Sequence, residues 1–232
     1  MQQETQMNKT QITSIILNCL IFILVFFATF CMLAGIELMN DNPEILAFTS
    51  SNLEAFKYFT VDSNVLAGLA ALVFIIFQVM LAKGKIISIP KAIYALKLAG
   101  TAGVSLTMLV TICFLIPQFG EHWYILFMNN NLFFHLLIPL LCIISFCFFE
   151  PMGIYKLSAS LFGLIPMILY GIAYTINIAV HLNGPAPLKD YDWYNFLDGK
   201  LSNAIISVPV MIIVTWLISL GLWGLNRYIS KK

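Results

Sequence analysis

The sequence predicts an all-α polytopic membrane protein, a bundle of about six transmembrane helices with a polar cavity toward its outer face. Three observations predict it. Of the 232 residues 60% are hydrophobic and 10% charged, with a mean hydropathy of +0.91, a balance that water cannot hold in solution as a folded domain. Long apolar runs recur at roughly 12–36, 59–82, 92–117, 131–149, 157–180 and 201–225, each close to the ~20 residues that cross ~30 Å of hydrocarbon. Basic residues gather at one end of these runs, as they do beside the cytoplasmic face of a membrane. The runs take up nearly all of the chain, so residues 1–232 read as a single six-helix transmembrane domain. A net charge of +1 argues against a nucleic-acid partner and leaves membrane lipids as the expected surroundings.

The first run is too long for the apolar part of a signal peptide and no small-x-small cleavage site closes it, so it reads as a permanent helix. Phe30 before Cys31 also argues against a lipoprotein cleavage site. The second run opens with Tyr58-Phe59-Thr60-Val61-Asp62-Ser63-Asn64, which places Thr60 and Asn64 on one face, with Ser63 beside them and Asp62 turned about 200° away from Thr60. Small residues at four-residue spacing predict close helix contacts: Ala95, Ala99 and Gly103 on the third run, Ala67 and Ala71 on the second, Ala159 and Gly163 on the fifth. The fourth run follows Asn129, Asn130 and Asn131, carries His135 one turn inside, and has Pro139 four residues later. Proline lacks an amide proton, so a kink and a free carbonyl at His135 are expected there. Pro166 and Pro209 leave room for further kinks. Cys19, Cys31, Cys113, Cys142 and Cys147 all fall within apolar runs and read as packing rather than disulfides.

For orientation, Lys9, Lys83, Lys85, Lys91, Lys97, Lys156, Arg227, Lys231 and Lys232 fall at the end shared by both termini, against Lys57, Lys189 and Lys200 at the other. Both termini are therefore expected to be cytoplasmic, in a multi-pass protein of the cell membrane. The outer connections, 37–58, 118–130 and 181–200, are longer and richer in aromatics than the inner ones, so function is expected at the outer face. Trp123, Tyr124, Tyr191, Trp193 and Tyr194 read either as interfacial anchors or as a lid over a site. His181, His122 and Glu121 have residue types that bind zinc, but no HExxH or CxxC spacing accompanies them, and neither a metal nor another cofactor is expected.

Polar residues inside hydrocarbon cost free energy and usually face a cavity or a partner, which singles out Thr60 and His135. Both lie about one turn below the outer end of their helices. At matched depth, a hydroxyl and an imidazole suit a nucleophile and its general base. The same residues also suit structural hydrogen bonds, His135 to a neighbouring helix and Thr60 to its own helix.

The second-helix segment Tyr58–Asn64 resembles the FT-x-x-SN opening found in predicted six-pass bacterial membrane proteins. Phe134-His135-Leu136-Leu137-Ile138-Pro139 is similar to their H-x-x-x-P signature, and Tyr194-Asn195-Phe196-Leu197-Asp198 to their aromatic stretch before the last helix. Asp62 and Asn195 depart from that pattern. Those proteins resemble in turn the androgen-induced membrane-protein family of animals, hydrolases of fatty acid esters of hydroxy fatty acids. The resemblance implies an intramembrane threonine nucleophile at Thr60, a histidine partner at His135 and a lipid ester substrate. Asn64, Ser63 or Asn131 would then supply oxyanion donors, with His181 near the substrate and Asp62, Asp198 or Glu121 as candidates to orient His135. A non-catalytic protein that binds or transports a lipid or small amphiphile is the alternative that uses the same residues; the oligomeric state is open.

Overall fold

A computed structural model of the chain describes residues 7–39, 52–152, 156–184, 186–187, 189–194, 196–197 and 200–231. Among them are six helices long and apolar enough to cross a membrane: α1 (Lys9–Ala34), α2 (Phe59–Ala82), α3 (Lys91–Phe127), α4 (Asn130–Phe149), α5 (Leu157–Val180) and α6 (Leu201–Ile229). The protein is a multi-pass integral membrane protein with an all-α bundle. An even number of crossings places both termini at one end. Large apolar side chains such as Phe26, Leu169 and Ile205 lie exposed on the outside of the bundle, where lipid is the solvent.

Helix α1 starts at a capping box in which Asn8 and Gln11 each bond the other's backbone amide, and it stops at Gly35, whose φ of +64° favours glycine. Helix α3 is the centre. Every residue from Lys97 to Thr107 is buried, as a helix surrounded on all sides requires. Close approach explains its small residues: a Cβ at Gly100 would lie 3.0 Å from the Ala67 Cα, and one at Gly103 would lie 3.1 Å from the Ser63 Cβ. Gly163 of α5 is likewise pressed against Ser219 of α6 and Ala102 of α3. The small-residue contacts predicted from spacing therefore exist at Gly103, Ala67 and Gly163, with Gly100 added.

Helix α3 carries a π turn, Thr111–Leu115, within the expected run, and it continues past residue 117 to Phe127 because much of the expected outer connection is itself wound, ending in 3-10 turns, Gly120–Phe127. A second π turn interrupts α4 at Phe133–Leu137, and a third ends it at Ser145–Phe149. Each of the three ends two residues before a proline: Pro117, Pro139 and Pro151. A proline ring crowds the preceding turn and offers no N–H, and widening that turn to i→i+5 bonding accommodates both. Beyond α5 the helical pattern gives way to a two-residue antiparallel pair, Leu182 with Pro187 and Asn183 with Ala186.

Near the termini the bundle holds an ion pair. Lys97 Nζ lies 3.3 Å from Glu150 Oε1, with both side chains almost wholly buried, and donates to Asn18 Oδ1 at 2.7 Å. Asn18 Nδ2 in turn donates to Glu150 Oε1 at 2.8 Å, and the Ser145 hydroxyl donates to the same oxygen. Asn226 of α6 donates to the Phe146 and Glu150 carbonyls. Lys97, counted above as a flanking charge, is thus an interior residue; the other basic residues remain to mark that end.

Candidate active site

The first turn of a helix has amide groups with no partner inside the helix. In α2, the Phe59 N–H is taken by Tyr194 Oη at 2.8 Å. Tyr170 Oη donates to the Lys57 carbonyl at 2.6 Å and accepts from Trp193 Nε1 at 3.1 Å. Trp193 and Tyr194 therefore clamp the residues just before Thr60, whereas Trp123 and Tyr124 are exposed, as interfacial side chains are. Burial, and the nearby Tyr170, push the Tyr194 hydroxyl well above the usual phenol range. The loop is fixed by Asp192, which accepts from the Tyr174 hydroxyl and, at 3.1 Å each, from the Phe196 and Leu197 amides.

Thr60 is half-buried. Its carbonyl accepts from Ser63 Oγ at 3.2 Å and from Asn64 Nδ2 at 2.7 Å. The second proton of Asn64 goes across to α4, to the Phe134 carbonyl at 3.1 Å. That carbonyl is open for a specific reason. The Ile138 N–H reaches back to Phe133 in the π turn, and the next residue, Pro139, has no N–H to give. Proline thus leaves open the carbonyl of Phe134, one residue before the expected His135, because the turn is π rather than α. One buried amide joins the Thr60 turn to the His135 turn.

His135 is 5% exposed, and its Nδ1 lies 2.7 Å from the Leu126 carbonyl. A carbonyl only accepts, so the ring proton sits on Nδ1 and the lone pair on Nε2, which has no partner among the described residues. The group that orients His135 is therefore a backbone carbonyl. Glu121 is exposed, Asp62 is half-buried without a bond to the ring, and Asp198 lies outside the described residues. No hydrogen bond joins Thr60 to His135 among the described residues.

The three expected oxyanion donors differ in what they have left to give. Asn64 has both amide protons engaged. The Ser63 hydroxyl is shared between the Thr60 carbonyl and Thr107 Oγ1, the latter at 3.2 Å. Asn131 Nδ2, one turn before His135, is buried with no acceptor among the described residues. His181 stands apart, donating from Nδ1 to the Asn177 carbonyl at 2.7 Å and stacked on Tyr191 at 3.6 Å. Among the described residues, His181, His122 and Glu121 do not gather into a set of metal ligands.

An apolar groove of about 330 Å³ opens between α5 and α6, lined by Met167, Tyr170, Tyr174, Leu197 and Met211 among others. Neither Thr60 nor His135 lines it, but Met167 and Tyr170 pack on Phe59, the neighbour of Thr60. Sequence reasoning missed the Leu126 carbonyl, which leaves no trace in residue type. It also missed Lys97 and Glu150, whose signal was present: a lysine inside an apolar run and a glutamate at the edge of another. No family model, curated protein or solved structure matches this chain.

Proposed function

We propose that this protein is an intramembrane lipid ester hydrolase with Thr60 as nucleophile and His135 as general base. The observation that carries the reading is the His135 ring, buried and held by the Leu126 carbonyl in the tautomer that leaves Nε2 free to take a proton. In the proposed reaction, Thr60 Oγ1 attacks the ester carbonyl as its proton passes to Nε2. The tetrahedral oxyanion is stabilised by Asn131 Nδ2, the donor left unspent. Collapse expels the alcohol, which takes the proton from His135, and leaves an acyl-threonine. Water, deprotonated by the same nitrogen, releases the acid and restores Thr60. Thr60 and His135 are not hydrogen-bonded without substrate, and such bonds often tighten only in the substrate complex.

The substrate class follows from the resemblance noted above: fatty acid esters of hydroxy fatty acids, with an acyl chain lying in the groove between α5 and α6. The basic flanks favour a cell membrane location with both termini cytoplasmic.

The test is hydrolysis of a long-chain fluorogenic ester by detergent-purified protein, comparing the parent with Thr60→Ala and His135→Ala at equal folded amounts. Turnover in the parent and its loss in both variants is the expected result, together with covalent labelling of Thr60 by a lipid-like fluorophosphonate. The groove's separation from Thr60 favours a second reading, a protein that binds or transports a lipid without cleaving it. That reading takes over if the parent shows neither turnover nor labelling.

A further inference from the structure

At the end of the bundle beside the termini, α2 and α3 are joined by a basic turn with an apolar tip, Lys83-Gly84-Lys85-Ile86-Ile87-Ser88-Ile89-Pro90-Lys91. Its first part is fixed: Gly84 has a φ of +64°, and the Lys85 amide bonds back to the Met80 carbonyl at 2.9 Å. Lys83, Lys85 and Lys91 are exposed, and Ile87, at 99%, is the most exposed large apolar side chain among the described residues. The start of α1, with exposed Lys9, lies beside this turn, since Asn8 and Thr10 line a small cavity together with Leu81 and Ile89.

Depth and charge select a partner. Helix α2 has 24 residues and is about 36 Å long, against ~30 Å of hydrocarbon, so its ends stand at headgroup depth, where lipid phosphates lie. Among the described residues the one acid at this end is Glu150, and it is buried and paired with Lys97. Lys83 and Lys85 make no ion pair among the described residues, so their charge is offered outward. Water is a poor solvent for Ile87, and at this depth the nearest apolar medium is the upper part of the acyl chains. Lysines at headgroup depth with an exposed isoleucine between them match a lipid whose headgroup is anionic.

We propose that the turn between α2 and α3 is a binding site for anionic phospholipid in the leaflet beside the termini. Lys83 and Lys85 hold the headgroup phosphate, Lys9 and Lys91 add to the positive field, and Ile87 enters the layer where the acyl chains begin. The site is separate from the Thr60 and His135 chemistry and does not depend on it.

Thermal unfolding of the full chain in an uncharged detergent, titrated with dioctanoyl phosphatidylglycerol, tests the proposal, because a ligand that binds only the folded state raises the Tm in a saturable way. Dioctanoyl phosphatidylcholine is expected to act at least tenfold more weakly, and so is glycerol 3-phosphate, which carries the phosphate without the chains. Each basic residue near an anionic lipid surface contributes about fivefold, so Lys83→Gln with Lys85→Gln should weaken apparent affinity at least tenfold. Ile87→Ser should weaken it several-fold, whereas Lys156→Gln, on the next connection at this end, should leave it within twofold. These four side chains are exposed, so the variants should unfold at the parent's Tm in detergent alone. The proposal is overturned by the absence of a saturable rise in the parent, by equal affinity for phosphatidylcholine or glycerol 3-phosphate, or by unchanged affinity in the double lysine variant or in Ile87→Ser. It is overturned equally if Lys156→Gln weakens binding as much as the double variant does, which would show a diffuse response to net charge.

Discussion

At the end that carries Thr60, buried side chains spend their protons mainly on backbone carbonyls, whereas beside the termini several spend them on one another. Asn64 and His135 bond the carbonyls of Thr60, Phe134 and Leu126, all neutral groups, the last two of them in irregular turns. Lys97, Asn18 and Ser145 converge instead on one carboxylate oxygen of Glu150. The first arrangement fixes neutral side chains and leaves two nitrogens, His135 Nε2 and Asn131 Nδ2, without partners among the described residues. The second ties α1, α3 and α4 together through charge. Removing a member should therefore cost more stability at the second end and more activity at the first.

The largest loss is expected for Lys97→Leu, which strands the buried Glu150 carboxylate and should cost about 3–5 kcal/mol. Denaturation in detergent measures it, and Lys97→Met combined with Glu150→Gln should recover most of the loss; a single variant as stable as the parent would undo the contrast. Asn64→Leu should cost about 1–3 kcal/mol by the same measurement, since the buried Phe134 carbonyl loses its donor and the Thr60 carbonyl keeps only that of Ser63 among side chains. Next comes Tyr194→Phe, at about 1 kcal/mol for the lost acceptor of the Phe59 amide. Tyr194 also sets a pH dependence. Its hydroxyl is raised in the folded state, so its contribution is full below the unfolded phenol value of about 10 and is lost as pH rises from there toward the folded value. Tyr194→Phe should remove that part of the alkaline decline. The smallest stability change, within about 0.5 kcal/mol, is expected for Asn131→Ala, whose Nδ2 has no acceptor to lose among the described residues. Yet if Asn131 serves the oxyanion, ester turnover should fall about 10²–10³-fold, and unchanged turnover would remove it from the site.

The helical frame was legible because span length and hydropathy act along the chain itself: α2 and α5 coincide with the apolar runs at 59–82 and 157–180. Thr60 and His135 stood out because polar groups in hydrocarbon need a reason. What their surroundings would be was less legible. Reading α4 as a regular helix put an open carbonyl at His135, and it is the π turn that opens the carbonyl of Phe134. Hydrogen bonds to backbone atoms, such as His135 to Leu126, depend on how a turn folds back rather than on which residue forms it. Lys97 was misread for a different reason: near a helix end, sequence alone does not separate a flanking charge from a buried one. The aromatics divided because Trp193 and Tyr194 have hydrogen-bond partners on α5 and α2, whereas among the described residues Trp123 and Tyr124 have none there.

The Lys97–Glu150 pair also bears on how the chain is made. A ribosome delivers α1 and α3 before α4, so Lys97 enters the bilayer before its carboxylate exists. A lysine in a lone span costs up to about 2.5–3.5 kcal/mol at mid-membrane, less near an end. Asn18, already delivered with α1 and bonded to Lys97 at 2.7 Å in the finished fold, would be the partner at hand through that interval. In a nascent chain stalled before Glu150, Asn18→Leu should then reduce retention of α3 in the membrane, while in the completed protein α4 holds that span in place.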